Sequence, residues 1–434
     1  MSSLFRCLCQ ELIDEIVDRV TDRESLQSCA LTCHAFLPRA QARLFRVLQF
    51  KLKYWAKDET CRTREVQRLH EILTKNPSLR KHPRQLRLCS GNSDIKWMTT
   101  NQHFFEVIGW LENVDKVEMQ GRVDRWAGVR DLQTYQAFLD HVWKPLIQPR
   151  LRTLNHIGTL EAPLELVTNC PRLTTLAVGG SNFFLPGHAD DIGAPLSLTT
   201  FSCKWLPKDL PSLFFQEDKI GNRFLDLSNL SSLKFSFGKP SQADEGHKFL
   251  NNHLLPEVCN SLKSLELLDV FPIFEPFFDI ASTRLLNSLQ FEIKPPWLYD
   301  HSKPHLDHMA RIAATLDALP QGGSLRRLGV GLCRYSNTCL IDSNNIHWIK
   351  RLDWATLEAA IMRWQQTVCD SIEVEIDFGD LQRLGGDALS DSAMLEYLAD
   401  MENFKENNFP ELCRNPFVKF KHSYDLGDRG TLAV

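Results

Sequence analysis

The chain has 434 residues, of which 43% are hydrophobic and 24% charged, and its 50 Lys and Arg against 54 Asp and Glu give a formal net charge of −4. That length predicts about two or three structural units, and without a basic excess there is no electrostatic footprint for nucleic acid. No apolar run is long enough to span a bilayer, and Arg6, Glu11 and Asp14 stand where a signal peptide needs its apolar core, so a cytoplasmic or nuclear chain with no membrane partner is expected. The 13 cysteines scatter from Cys7 to Cys413, which fits reduced thiols rather than a disulfide framework and leaves the Asn229-Leu230-Ser231 sequon idle.

The first predicted element is a short helix in which Leu12, Ile13, Ile16, Val17 and Val20 form an apolar stripe, with Asp14, Glu15, Asp18 and Arg19 on the outer face. Thr21-Asp22-Arg23-Glu24 has capping-box spacing, so a second helix is expected to start there and run through Leu26, Cys29, Ala30 and Cys33. A third, from about Ala35 with Pro38 in its first turn, supplies Leu37, Ala40 and Leu44. A three-helix unit of about fifty residues has a small core, so leftover apolar surface is expected to be covered by another chain or by the rest of this one.

The order and spacing of Leu8, Glu11, Leu12, Ile16, Leu26, Cys29, Leu31, Cys33 and Phe36 resemble an F-box, the segment by which substrate-recognition subunits of cullin-based (SCF-type) ubiquitin ligases dock on a Skp-type adaptor. Gln-Glu-Leu-Ile-Asp-Glu-Ile-Val and Asp-Arg-Glu-Ser-Leu are similar to the F-box proteins that fungi carry in large families. Leu8-Cys9 stands where an F-box usually has Leu-Pro, and Phe36 where it usually has Trp. Losing the proline frees the unbound entry to the first helix, an effect of about 0.5 to 1 kcal/mol on docking. The resemblance implies that residues 1–50 dock through Leu8, Cys9, Leu12, Ile16, Leu26, Leu31 and Phe36, and reach a cullin through the adaptor.

Residues 51–80 read as a connecting helix, because Val66, Leu69 and Leu73 keep helical spacing until Pro77. Then one phrase recurs, an apolar residue followed by apolar residues three and five positions on, which is a strand with a buried alternate face. Its copies are Val114/Val117/Met119, Leu173/Leu176/Val178, Leu198/Phe201/Cys203, Leu230/Leu233/Phe235, Leu262/Leu265/Leu267, Leu286/Leu289/Phe291 and Leu325/Leu328/Val330. Leu86/Leu88, Leu151/Leu154 and Ile372/Val374/Ile376 are partial copies. Between the later copies the spacing turns helical, at Leu306, Met309, Ala313 and Leu316 and at Trp354, Leu357, Ile361, Trp364 and Val368.

Alternating strands and helices predict an α/β fold with parallel strands, and units that bury their apolar side only against their neighbours are those of a solenoid. Residues 81–380 resemble the irregular leucine-rich repeats attached to F-boxes, although the Asn that usually follows the strand phrase is mostly missing; an open α/β sheet is the competing fold. The resemblance implies a target-binding concave face at the variable strand positions Thr175, Thr200, Lys204, Lys234, Glu266, Gln290, Glu292 and Arg327. Lys239 to Gly246 and Gly187 to Pro195 read as long surface loops. Residues 381–434 read as a helix through Leu395, Leu398, Met401 and Phe404 and then a flexible tail.

Chemistry-bearing constellations are sparse. Cys7, Cys9, Cys29, Cys33 and His34 could surround zinc, but the thiols fall on helix-packing positions, where Cys acts as a small hydrophobe. His301, His305 and His308 have helical spacing, yet Pro304 keeps the start of that segment off the helix. Gly329-x-Gly331 lacks the rest of a phosphate cradle, and no Gly-x-Ser-x-Gly elbow occurs. Ten Trp and 26 Phe, dense at Phe183-Phe184, Phe214-Phe215 and Phe271 to Phe278, either fill an irregular core or anchor a partner. The expectation is therefore a non-catalytic adaptor without cofactor or metal that presents a protein target for ubiquitination; a repeat scaffold without a ubiquitin role and an α/β enzyme are the alternatives.

Overall fold

The computed structural model describes residues 8–50, 59–89, 97–120, 136–157, 161–163, 166–167, 170–179, 182–184, 195–204, 223–237, 240–270, 278–293, 308–320, 323–332, 352–367, 373–380, 399, 402–425 and 431–433. It is α/β and dominated by parallel sheet, as the alternating pattern predicts. Two compact units divide the chain, Met1–Leu198 with Pro207–Asp226, and Thr199–Leu206 with Leu227–Val434.

The first unit opens with three helices, α1 (Gln10–Arg19), α2 (Arg23–Thr32) and α3 (Leu37–Leu44). Ile13, Val17, Leu26, Phe36 and Ala40 form their core, with Val20, Cys29, Ala30, Cys33, Ala35 and Leu44 packed around it. The cap of α2 is Asp22 rather than Thr21: its carboxylate accepts the Ser25 N–H at 2.7 Å. A carboxylate at a helix start also meets the positive end of the dipole, which favours it over the hydroxyl one residue earlier.

From α3 the chain runs into β1 (Val47–Phe50), and α4 (Glu59–Lys75) follows where the connecting helix is expected. Strand β2 (Gln85–Cys89), α5 (Gln102–Trp110), β3 (Lys116–Gln120), α6 (Leu139–Ile147) and β4 (Thr153–Ile157) come next. Short β5 (Glu161–Pro163) pairs with β7 (Asn182–Phe184), β6 (Thr175–Gly179) lies between them in sequence, and β8 (Leu196–Ser197) pairs with β10 (Leu225–Asp226). Strands β1, β2, β3, β4 and β6 pair in that order, all parallel, with Leu48, Leu86, Val117, Leu154 and Leu176 in one register row. The next inward row is Phe50, Leu88, Met119, His156 and Val178.

In the second unit β9 (Thr200–Lys204), β11 (Ser232–Ser236), β12 (Ser264–Val270), β13 (Ser288–Ile293), β14 (Arg327–Leu332), β15 (Glu373–Asp380) and β16 (Val418–Asp425) pair in parallel, again in sequence order. Phe201, Leu233, Leu265, Leu289, Leu328, Val374 and Val418 are in register, and Cys203, Phe235, Leu267, Phe291, Val330, Ile376 and Phe420 form the adjacent row. Every residue of the seven full strand phrases is buried. Each fully buried Leu, Val or Phe removes enough apolar surface from water to contribute about 1.5–3 kcal/mol, so these rows are the main cohesive feature of both units.

Helices α7 (Pro240–Phe249), α8 (His308–Asp317) and α9 (Trp354–Thr367) join the later strands. Met309, Ala313, Leu316, Trp354, Leu357, Ile361 and Trp364 are buried, which matches the helical spacing. Asp353 caps α9 by accepting the Thr356 N–H at 3.1 Å.

Two expectations are corrected. Residues 240–246, read as loop, lie in α7; Gly246 sits so close to Phe237 that a Cβ would come within 3.2 Å of its Cδ1. The glycine that suggests a loop instead lets the helix approach the strand. Where a flexible tail is expected, β16 pairs with β15, and β17 (Thr431–Ala433) pairs antiparallel with β16 after a helix at 402–408. Residues 187–194, 271–277, 301–307 and 372 lie outside the described residues, and with them those parts of the Gly187 loop, the Phe271 cluster, the histidine series and the last strand phrase.

Candidate functional site

The three-helix module divides its predicted docking residues into two groups. Leu26 and Phe36 are 6% and 7% exposed and belong to the module's own core. Leu8, Leu12, Ile16 and Leu31 are 37%, 48%, 47% and 88% exposed, and Cys9, which precedes α1, is exposed as well. The single stripe read from α1 therefore splits: Ile13 and Val17 turn inward, while Leu12 and Ile16, four residues apart, share an outward ridge. Among the described residues six large hydrophobic side chains are exposed, and these four are joined only by Leu285 and Phe417.

Polar contacts hold that ridge in place. Arg39 Nε donates to Asp18 at 2.7 Å, Arg43 Nη1 donates to the Val17 carbonyl at 3.0 Å, and Gln10 Nε2 donates to the Ala35 carbonyl at 3.1 Å. The Arg39 hydrogen bond holds the Asp18 carboxyl below the usual carboxylate range. Asp18, placed by the sequence pattern on the solvent face, thus ties α1 to α3.

The predicted target-binding residues lie on the outward face of the strands, between the buried rows. Thr200 aligns with Ser232, and Lys234 with Glu266 and Gln290. Glu292 stands two residues beyond Gln290 on β13, opposite Gly331, and Arg327 lies opposite Ser288 and Glu373. Lys204 aligns with Ser236 at the end of β9, and Thr175 occupies the first position of β6 in the other unit. An open basin of about 600 Å³ on β13, β14 and β15 includes Gln290, Glu292, Arg327, Glu373, Glu375 and Asp377 in its lining. Lys234 pairs with Glu266 at 2.5 Å, and Glu373 pairs with Lys419 and, at 3.8 Å, with Arg327. Gly329 belongs to this floor rather than to a nucleotide loop: a Cβ there would sit 3.1 Å from Gln290 Cγ.

The face is thus polar, of mixed charge and shallow, suited to another protein's surface more than to an enclosed small molecule. The largest pKa shifts among the described residues belong to buried groups, His156 and Cys203 in the inward rows and Cys170 ahead of β6. Burial lowers His156 to about 4, raises Cys170 to about 12 and also raises Cys203.

The thiol set does not assemble into a zinc site among the described residues: Cys29 and Cys33 pack on the helical core, whereas Cys9 is exposed rather than packed. Of the histidine series only His308 is described, at the start of α8. Sequence spacing misses another cluster, in which His70 of α4 meets His103 and Glu106 of α5. Only the three-residue step from His103 to Glu106 was visible in advance, since folding supplies the third member. Among the described residues no helix is long and apolar enough to cross a membrane. No protein-family model matches the chain, and no curated protein matches it.

Proposed function

We propose that the chain is a non-catalytic substrate-recognition adaptor. Its N-terminal module docks on a Skp-type adaptor, and through it a cullin, while its repeat body holds a protein target for ubiquitin transfer by other subunits. The observation that carries this reading is the exposure of Leu8, Leu12, Ile16 and Leu31 on a module that already has a core of its own. Exposed apolar side chains concentrated on one small element mark an interaction surface.

Leu26 and Phe36 act in this reading by fixing the module's shape rather than by touching the partner. The repeat body is read as a leucine-rich-repeat-like solenoid because in each unit the order of the main parallel strands follows their order in sequence. A doubly wound sheet reverses strand order at its switch point, whereas stacked repeats do not.

A second reading, a repeat scaffold whose helical module only caps the first strand, draws on the direct run from α3 into β1, where Arg84 N–H and Gln85 N–H donate to the Arg46 carbonyl. Reconstitution separates the two. With purified ubiquitin-transfer enzymes, Skp-type subunit and cullin, the chain is expected to promote modification of bound proteins or of itself, and to do nothing when cullin is omitted. Transfer without cullin, or no transfer with the full set, contradicts the adaptor reading.

A further inference from the structure

We propose that His70, His103 and Glu106 form a binding site for a divalent transition-metal ion of the zinc class, pinning α4 to α5. This inference is independent of the docking reading.

Two imidazoles and one carboxylate are a donor set that zinc accepts, and one ligand atom of each residue lies within 4.8 Å of the others. Donors at about 2.0–2.2 Å from a tetrahedral ion stand roughly 3.3–3.6 Å apart, so small side-chain rotations close the site. His103 and Glu106 are three residues apart on α5 and project from one face of it. His70 Nε2 already meets Glu106 Oε2 at 2.5 Å, which holds the two side chains together at the proposed site. An ion bound at His70 Nε2 replaces this hydrogen bond, with the neutral ring's proton then carried on Nδ1.

Two further observations point the same way. Gln102 Nε2 donates to Glu106 Oε1 at 3.0 Å, which orients the carboxylate and leaves Oε2 for the ion. His103 Nδ1 is buried and has no hydrogen-bond partner among the described residues, although its ring lies 4.6 Å from that of His70. Such a group in a polar cluster calls for a ligand that the described residues do not provide. Arg80 lies over the Trp110 ring at 3.9 Å and donates to the Leu73 carbonyl, and the other side of this local arrangement is the His70 ring, 4.7 Å from Trp110. Three protein ligands leave a fourth position for water.

The test uses the full chain, stripped with chelator and titrated first with cobalt(II) and then with zinc. One equivalent of cobalt is expected to give a tetrahedral visible spectrum without a thiolate-to-cobalt band, to be displaced by zinc, and to raise the melting temperature. His103→Ala and Glu106→Gln should each weaken binding about tenfold or more. Glu106→Gln retains the side-chain shape and the Gln102 contact, so a folded variant remains for comparison, checked by circular dichroism. A spectrum dominated by thiolate ligation, or titrations of wild type and Glu106→Gln that coincide, would overturn the proposal.

Discussion

At the scale of single residues, His156 shows how a polar side chain can hide inside an apolar pattern. It occupies the inward row of β4 between Met119 and Val178 and is fully buried, and desolvation lowers its pKa from 6.5 to about 4. The unfolded chain therefore binds a proton more readily, so this contribution to stability is complete above pH 6.5 and is lost as the pH falls toward 4. The wild type should lose about 2 kcal/mol between pH 8 and pH 5 from this group alone, and His156→Leu should lose correspondingly less in urea titrations across that range. Parallel pH profiles for the two proteins contradict this. The same residue explains why only Leu151/Leu154 was legible in β4: the third inward position holds an imidazole, which hydropathy alone cannot assign to the core.

Glu358 makes a second residue-scale case. Its buried carboxylate accepts the N–H groups of Glu411 and Leu412, both at 2.9 Å, and so anchors the C-terminal segment on α9. Glu358→Ala leaves two N–H groups without their acceptor, and a loss of about 2–3 kcal/mol in chemical denaturation is expected. A change below 0.5 kcal/mol, roughly the effect of a surface substitution, contradicts the anchoring role.

At the scale of elements, the strands were the most legible part of the sequence, because a period of two with large apolar residues points to one face whatever the surroundings. The helix around Gly246 was not, since propensity reads glycine as a breaker while the packing requires the missing Cβ against Phe237. The last strands were missed because the charged residues Lys419 and Lys421 make this segment read as polar in the sequence, although Val418 and Phe420 continue the register rows of Val374 and Ile376. Strand β16 covers the edge of β15, and removing residues 416–434 uncovers a row of backbone donors and acceptors. The truncated protein should self-associate, visible as a concentration-dependent rise in light scattering. A monomer with unchanged denaturation midpoint contradicts that role for β16.

At the scale of the whole molecule, cohesion rests on rows of in-register apolar residues. Leu233→Ala, Leu265→Ala, Leu289→Ala and Leu328→Ala should each cost about 2–5 kcal/mol, since all four are buried. Because each strand touches chiefly its two neighbours, Leu233→Ala with Leu328→Ala should add, whereas the paired Leu265 and Leu289 should show a coupling of about 0.5 kcal/mol or more. Equal coupling for both pairs in double-mutant cycles contradicts a nearest-neighbour architecture.

The apolar surface of the N-terminal module was half legible in the sequence. Helical periodicity put Leu12, Ile13, Ile16 and Val17 in one stripe, but the packing of the three helices divides it, turning Ile13 and Val17 inward and leaving Leu12 and Ile16 exposed. The division predicts two kinds of variant. Phe36→Ala empties part of the module's core and should lower stability, whereas Leu12→Asp and Ile16→Asp place charge on the surface and should leave the fold intact.

The central claim is tested most directly by titrating the full chain with a purified Skp-type adaptor, comparing wild type with the Leu12→Asp/Ile16→Asp double variant. Charges placed where apolar contact is needed cost several kcal/mol, so wild type should bind and the folded double variant should bind at least about 100-fold more weakly. Equal affinity of the two proteins, or no binding by the wild type, contradicts the adaptor reading.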